Sequence, residues 1–283
     1  MSDSPPRDLF DRRRRALRRL RETGGEADFI GTEIASQIAE RLADVKREFR
    51  NVAVIGARTP QLVDALRSGG AEVTVIEQSG VLAAANGALA GEEDRLPVEP
   101  ESFDLIIWPG GLESVNDVPG ALLRCRLALK PDGLMLGACL AEGSLPALRA
   151  ALRRAEAERP AARLHPQLAL QAMGDLLGKI GFALPVVDVE RMTLRYRTLA
   201  SLVRDLRAHA ATAVLAGPVP PLARRIWQAA EDSFVAEGGE EILVILHWSG
   251  WAPDPSQPQP ARRGSATASL AAALERREPD GQN

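Results

Sequence analysis

Gly56 and Glu77 are the first residues in this sequence whose types and spacing point to chemistry. Gly56 follows the apolar residues 52–55, and Glu77 ends a second apolar run about twenty residues further on. A glycine after a strand lets a ligand approach the backbone, and an acid at the end of the next strand accepts hydrogen bonds from ribose hydroxyls. The pair therefore predicts a nucleoside site, although a glutamate that only faces solvent would also fit Glu77.

Two buried strands joined by a helix would position this pair. Residues 52–55 and 73–76 are continuous apolar runs, and the segment between them has apolar residues at helical spacing before it ends in two glycines. Such a unit has parallel strands, because the helix crosses over one face of the sheet. Ligands of these sheets bind at the carboxyl ends of the strands, and both Gly56 and Glu77 lie at that edge.

Strands and helices continue to alternate beyond this unit. Residues 103–108 and 134–139 are two more apolar runs, and helical patterns surround them. The alternation over residues 51–158 predicts an α/β fold with a doubly wound, mostly parallel, Rossmann-like sheet. Further features are candidate strands at residues 186–189, 192–196 and 242–248 and a turn signal at residues 130–133.

The same patterns divide the chain into four parts. Residues 1–50 are predicted as N-terminal helices and residues 51–158 as the α/β core. Residues 159–252 would complete the sheet and add lid or substrate helices. Residues 253–283 are rich in proline and predict an extended, partly disordered tail.

Composition narrows the class of protein. The chain has 283 residues, 45% of them hydrophobic, and a net charge of -3, which predicts a globular protein and gives no indication of nucleic-acid binding. No apolar run approaches the roughly 18 residues of a membrane span. The first residues lack the apolar core of a secretory signal, and the two cysteines, Cys125 and Cys139, lie in apolar patterns that predict burial. We therefore predict a cytoplasmic protein.

An arginine-rich segment near the start allows two interpretations. Residues 8–22 have a narrow apolar stripe at helical spacing, surrounded by arginines. The helix is either a solvated element docked on the domain or one that binds acidic groups of a substrate or touches an anionic surface. The arginines concerned are Arg12, Arg13, Arg14, Arg15, Arg18, Arg19 and Arg21.

Histidine, a residue type that commonly catalyses reactions, occurs three times in the chain. Of the three histidines, His165 lies before a proline in a possible lid and is the candidate catalytic residue. No spacing among His165, His209 and His247 resembles a ligand set, so no metal site is predicted.

Several motifs together resemble a known family. FDLIIW, NDVPGAL and LKPDG, with the first strand–helix–strand unit, look like a class I S-adenosylmethionine-dependent methyltransferase. LFDRRRRALR, GDLLGKIGFALPVVDVERMTLRY and GWAPDPSQPQPARRGSA are similar to the methyltransferase-like complex I assembly factors that hydroxylate an arginine of a complex I subunit. The chain is less closely similar to the malonyl-acyl-carrier-protein methyltransferases of biotin synthesis.

The resemblance implies S-adenosylmethionine as the cofactor and assigns residues to it. Gly56 and Ala57 would belong to the glycine-rich loop, and Glu77 would hold the ribose. Glu92 falls where an acid contacts the adenine amino group, and Trp108 opens the loop that borders cofactor and acceptor. The loop departs from the family, because Arg58 and Pro60 stand where glycines are usual and Val54 stands where an acid is usual.

The resemblance also implies a function and leaves alternatives open. It implies an enzyme that modifies a protein side chain during assembly of respiratory complex I, with a complex I subunit as the partner. The first alternative is a non-catalytic assembly chaperone of the same fold, whose arginine-rich helix and proline-rich tail engage a partner. The second is an enzyme like the malonyl-acyl-carrier-protein methyltransferases.

Overall fold

A computed structural model describes residues 8–21, 28–56 and 60–257 of the chain. The chain forms two compact units, Met1–Pro253 and Asp254–Asn283, and all the helices and strands named below belong to the first. Most of the predicted proline-rich tail lies outside the described residues. The predicted divisions near residues 50 and 158 stay predictions.

The first unit alternates strands and helices in its described residues. The strands are β1 (Asn51–Ile55), β2 (Glu72–Glu77), β3 (Leu89–Ala90), β4 (Phe103–Pro109), β5 (Leu129–Leu140), β6 (Ala183–Arg195) and β7 (Glu240–Trp251). The helices are α1 (Arg12–Leu20), α2 (Phe29–Ala43), α3 (Pro60–Ser68), α4 (Gly80–Asn86), α5 (Val118–Ala128), α6 (Pro146–Ala155), α7 (Leu170–Ile180), α8 (Leu199–Ala208) and α9 (Arg224–Ala236).

The strands form one seven-stranded sheet in the order β3-β2-β1-β4-β5-β7-β6. The strands from β3 to β5 are parallel, and β7 runs antiparallel to both β5 and β6. This confirms the predicted doubly wound, mostly parallel sheet. Two details differ: the predicted strands at 186–189 and 192–196 are one strand, β6, and the predicted turn at 130–133 is a bulge inside β5.

Helices cover both faces of the sheet, and alternate residues of each strand point to opposite cores. On β1, Val52 and Val54 join a core with α2, α3, α6, α8 and α9, whereas Ala53 and Ile55 join one with α5 and α7. Burial on both faces explains why the parallel strands read as continuous apolar runs. None of the described helices is long and apolar enough to cross a membrane.

Both cysteines are buried, as their sequence patterns predicted, and lie in the core formed by the sheet with α5 and α7, which we call the second core. Cys125 and Cys139 are fully buried, and burial raises the pKa of each thiol. A thiol held protonated is a poor nucleophile, so neither residue has the properties of a reactive cysteine.

His247 is a buried histidine whose surroundings keep it neutral. It lies on β7 with 2% of its surface exposed, and its Nε2 is 2.7 Å from Oε1 of Gln37 on α2. Burial lowers the pKa of His247 to about 4; the nearby Arg41 adds to the effect and Asp188 opposes it. The folded state therefore binds this proton less readily than the unfolded state, where the pKa is about 6.5.

This difference predicts a loss of stability in mild acid. As the pH falls from about 6.5 to about 4, the free energy of unfolding should decrease by about 3 kcal/mol from His247 alone. Denaturant titrations of the wild-type chain and of His247→Gln, across that range, measure the effect. The variant should lack this part of the pH dependence, and an equal dependence in both proteins would contradict the assignment.

Candidate functional site

The structure brings Gly56 and Glu77 to the same edge of the sheet. Glu77 is the last residue of β2, and Gly56 follows β1 and donates its backbone N–H to Ile76 at 2.8 Å. Gly56 has a φ of +63°, a conformation that favours glycine over other residues. The Glu77 side chain is buried, with Oε1 accepting from the Ser79 backbone at 3.3 Å.

Three more carboxylates lie in the segment between β3 and β4. Glu93 and Asp94 are each only 7% exposed, and Glu92 precedes them. Together with Glu77 they form what we call the acidic edge: Glu77, Glu92, Glu93 and Asp94. Carboxylates are rarely buried so completely unless they are paired with a cation.

The cations come from the N-terminal helix, α1. Arg19 donates to Glu77 at 2.8 Å, and Arg15 makes a two-pronged contact with Glu93 at 2.6 and 2.8 Å. Arg12 contacts the remaining two acids, with distances of 2.6 Å and 2.9 Å to Asp94 and 2.5 Å to Glu92. We call these three residues the arginine face of α1. Their spacing of three and then four residues places them on one side of the helix.

The contact between α1 and the acidic edge shifts the pKa values of two of the groups that form it. The hydrogen bond from Arg12 holds the pKa of Asp94 below its ordinary value. Burial tends to lower the pKa of the Arg15 guanidinium, but the charges of Glu93, Glu113 and Glu77 outweigh it and raise that pKa. Both shifts favour the charged forms, so Asp94 and Arg15 are charged near neutral pH.

Among the described residues, the docked arginine face leaves little free space at this edge. A cavity of about 20 Å³ remains, lined among others by Arg15, Arg19, Gly56, Glu77 and Glu93. That is room for about one water molecule, whereas small-molecule pockets have about 300 Å³ or more. Within the described residues, this cavity does not accommodate an adenosyl group while α1 is docked.

The position of α1 agrees with one of the two interpretations drawn from sequence, the docked helix. Arg12, Arg15 and Arg19 bind acidic groups of this chain, and contact of α1 with a substrate or an anionic surface stays a prediction. Sequence reasoning missed the pairing, and the signal available was the acidic run at residues 92–94 together with arginines on one helical face. Of the other arginines on α1, Arg13 is exposed.

The predicted glycine-rich loop is only partly described. Ala57 and Arg58 lie outside the described residues, so their predicted roles stay predictions. Pro60 is the first residue of α3, where a missing backbone N–H has no cost, because the first N–H groups of a helix have no partner within it.

Trp108 does not line the small cavity. It is 0% exposed, lies in the second core and packs edge-on against Trp248, with 6.5 Å between ring centroids. The loop that follows does reach the edge, since Gly110 lines the cavity and the carbonyl of Gly111 accepts a hydrogen bond from Arg15 at 3.0 Å.

His165 lies at a different cavity. An open cleft of about 550 Å³ is lined by Glu142, Arg149, Arg153 and His165, beyond the carboxyl end of β5. Nε2 of His165 accepts a hydrogen bond from the Val214 backbone at 2.8 Å, so this nitrogen is not free to take a proton, and burial lowers the pKa of the ring. Within the described residues, no three His, Cys, Asp or Glu side chains are grouped to hold a metal ion.

Comparison with known proteins identifies the family. Residues 53–137 match the methyltransferase domain family. The arginine-hydroxylase NDUFAF5 of Danio rerio is 30% identical, in an alignment that covers 86% of this chain and 81% of that protein. The human NDUFAF5 is 28% identical over 86% and 75%. A malonyl-[acyl-carrier protein] O-methyltransferase of Coxiella burnetii is 27% identical, over 69% of this chain and 68% of that protein.

Solved structures confirm the fold. A putative methyltransferase from Bacillus halodurans superimposes with a TM-score of 0.53 at 11% identity, covering 77% of this chain and all of that one. The YcgJ protein of Bacillus subtilis gives 0.52 at 16% identity, covering 78% and 98%. With the class I methyltransferase fold and an alignment along most of its length, the chain belongs to the family of the arginine-hydroxylase NDUFAF5.

Proposed function

We propose that this chain is an enzyme of the methyltransferase family that binds S-adenosylmethionine at the edge formed by Gly56 and Glu77. The observation that supports this best is the position of Glu77, buried at the carboxyl end of β2 with its carboxylate on the small cavity. A buried carboxylate there suits two ribose hydroxyls. The sulfonium of the cofactor is a cation, which also suits an edge with four acids.

Binding at this edge requires a change in the structure as described. Arg19 holds Glu77, and the remaining cavity is too small for an adenosyl group. We therefore propose that α1 moves away from the acidic edge before the cofactor enters. The helix itself buries none of its residues, so its movement exposes little apolar surface as long as Phe10, which precedes it, stays packed against Val214 and Leu215.

The substrate that we propose is an arginine side chain of a protein, a subunit of respiratory complex I. The similarity to arginine-hydroxylases along most of the chain supports it. Those relatives are named as mitochondrial, whereas the cytoplasmic location of this chain stays a prediction. The malonyl-carrier enzymes match a shorter part of the chain and are the weaker alternative.

One observation favours a second candidate, a non-catalytic assembly chaperone of the same fold. The ion pairs between α1 and the acidic edge fill the space that a cofactor would need. If they never open, the chain keeps the fold of the family without its cofactor.

Titration of the purified chain with S-adenosylmethionine tests the proposal. We expect weak but measurable heat in isothermal titration, and at least tenfold lower affinity for Glu77→Ala, since hydrogen bonds to a charged group contribute about 1.5–3 kcal/mol. Glu72→Ala, at the exposed opposite end of β2, is the matched control and should bind as the wild type does. Equal affinity of the Glu77 and Glu72 variants would refute the assignment of Glu77.

A further inference from the structure

The Arg15 side chain occupies a pocket whose shape and polarity match a guanidinium. Its Nε donates to Oγ of Ser114 at 2.8 Å, its two terminal nitrogens bind the two oxygens of Glu93, and one of them also donates to the Gly111 carbonyl. Four contacts thus use the fork of donors that distinguishes arginine from lysine. The Arg15 side chain is 11% exposed and that of Glu93 is 9% exposed.

This pocket lies on the Glu93 side of the acidic edge, and the proposed cofactor residues lie on the Glu77 side. The small residual cavity is lined by Glu93 and Ser114 on one side and by Gly56 and Glu77 on the other. A guanidinium held by Glu93 therefore lies next to the residues proposed to hold the cofactor. Two reactants of one enzyme need this kind of proximity.

Within the helix itself, charge rather than apolar contact holds α1 in the pocket, while Phe10, just before the helix, packs against Val214 and Leu215. The helix buries none of its residues, and its leucines, Leu17 and Leu20, are 42% and 39% exposed. What it supplies is three guanidinium groups to four carboxylates. Another arginine-bearing segment that supplied the same groups would satisfy the same acids.

We propose that Glu93, Ser114 and the Gly111 carbonyl form a guanidinium subsite that receives an arginine of a protein partner, and that α1 occupies it as an intramolecular substitute for that partner. The inference deepens the proposed function and rests on it, because it names the residues that recognise the target side chain. A subsite for guanidinium groups also explains why four acids lie so close together, although their charges would repel one another without α1.

An ordinary docked helix is the competing explanation. In that case the acidic edge is complementary to α1 alone, and no other arginine would bind when α1 is removed. The two explanations therefore differ in whether the acidic edge binds another arginine when α1 is displaced from it.

The experiment uses the full chain with Arg12→Ala, Arg15→Ala and Arg19→Ala, which vacates the edge. The first probe is a fluorescein-labelled peptide of residues 8–21, followed by fluorescence anisotropy at physiological salt. We expect the variant to bind it and the wild type to bind it at least a hundredfold more weakly, because its own α1 competes. The second probe is an unlabelled, capped Gly-Gly-Arg-Gly-Gly peptide, which should displace the label at least tenfold better than its lysine counterpart.

A substitution within the pocket supplies the specificity control. Glu93→Gln, added to the opened variant, keeps the shape but removes the charge, and it should lower affinity for the arginine pentapeptide at least tenfold. Glu99→Gln, at an exposed position of the same segment, should change nothing. Binding of the residues 8–21 peptide without competition by the arginine pentapeptide, or equal competition by the lysine peptide, would overturn the proposal.

Two measures keep the result interpretable. If the triple variant does not fold, Arg15→Met retains the ion pairs of Arg12 and Arg19, and its melting temperature should rise with N-acetylarginine methylamide but not with the lysine analogue; no rise would likewise overturn the proposal. All peptide measurements are made without S-adenosylmethionine. Failure of cofactor binding and failure of arginine binding are therefore separate outcomes.

Discussion

Replacing Arg15 and Arg19 together by alanine is expected to raise the affinity for S-adenosylmethionine at least a hundredfold. In the wild-type chain two buried ion pairs must separate before the cofactor can bind. The measured affinity is therefore the affinity of the open form multiplied by the fraction of molecules in which α1 is displaced. A hundredfold change in affinity corresponds to about 2.8 kcal/mol, which is less than the roughly 3–5 kcal/mol by which loss of one partner of a buried ion pair destabilises a protein. Isothermal titration of both proteins at the same salt concentration measures it.

Arg13→Ala is the matched control for this experiment. Arg13 lies on the same helix and is exposed, so its removal changes the net charge without vacating the edge. Adding Glu77→Ala to the double variant should abolish the gain. A folded double variant with wild-type affinity would show that α1 does not control access, and absence of binding in every variant would favour the chaperone reading.

Gly137→Ala is expected to be the most destabilising small substitution in the sheet. Gly137 lies on β5 between two tryptophans, paired with Trp108 on one side and Trp248 on the other. A Cβ atom at Gly137 would lie 2.1 Å from the Trp248 ring, which is buried and packs edge-on against Trp108. We expect a loss of at least about 3 kcal/mol.

Thermal unfolding followed by circular dichroism tests this expectation. A loss of that size lowers the melting temperature by about 10 °C in a domain of this length. Gly178→Ala is the control: Gly178 lies in α7 with no atom near its added methyl group, and the helix propensity of alanine should leave stability equal or slightly higher. Equal melting temperatures for the two variants would contradict the role of Gly137.

Most of the fold could be predicted from local sequence patterns. The strands buried on both faces are continuous apolar runs, and the order of strands and helices implied a parallel sheet and its carboxyl edge. The positions of Gly56 and Glu77 could be predicted for the same reason, because Gly56 directly follows β1 and Glu77 is the last residue of β2. β6 was divided in two because Glu190 and Arg191 interrupt its apolar pattern, whereas pairing with β7 continues through them.

The side-chain contacts of the site could not be predicted as well as the fold, for two physical reasons. The Arg15–Glu93 and Arg19–Glu77 pairs join distant segments, and an arginine that will be buried has the same local pattern as a solvated one. The family resemblance assigned Trp108 to the cofactor as the first residue of the loop after the fourth strand. Trp108 instead lies within β4, and the alternation of side chains along that strand places it with Ile106 in the second core. The alternation was present in the sequence and decides where the indole lies.

The distance along the chain between α1 and its acids also sets an order of folding. Arg19 and Arg12 are separated by 58 and 82 residues from the carboxylates that they bind. Those carboxylates follow β2 and β3, so they come together only after the parallel strands have paired. Contacts that close long loops form slowly, and α1, although it is made first, should dock last. Each newly made molecule would then pass through a state with an open edge before its own helix closes it.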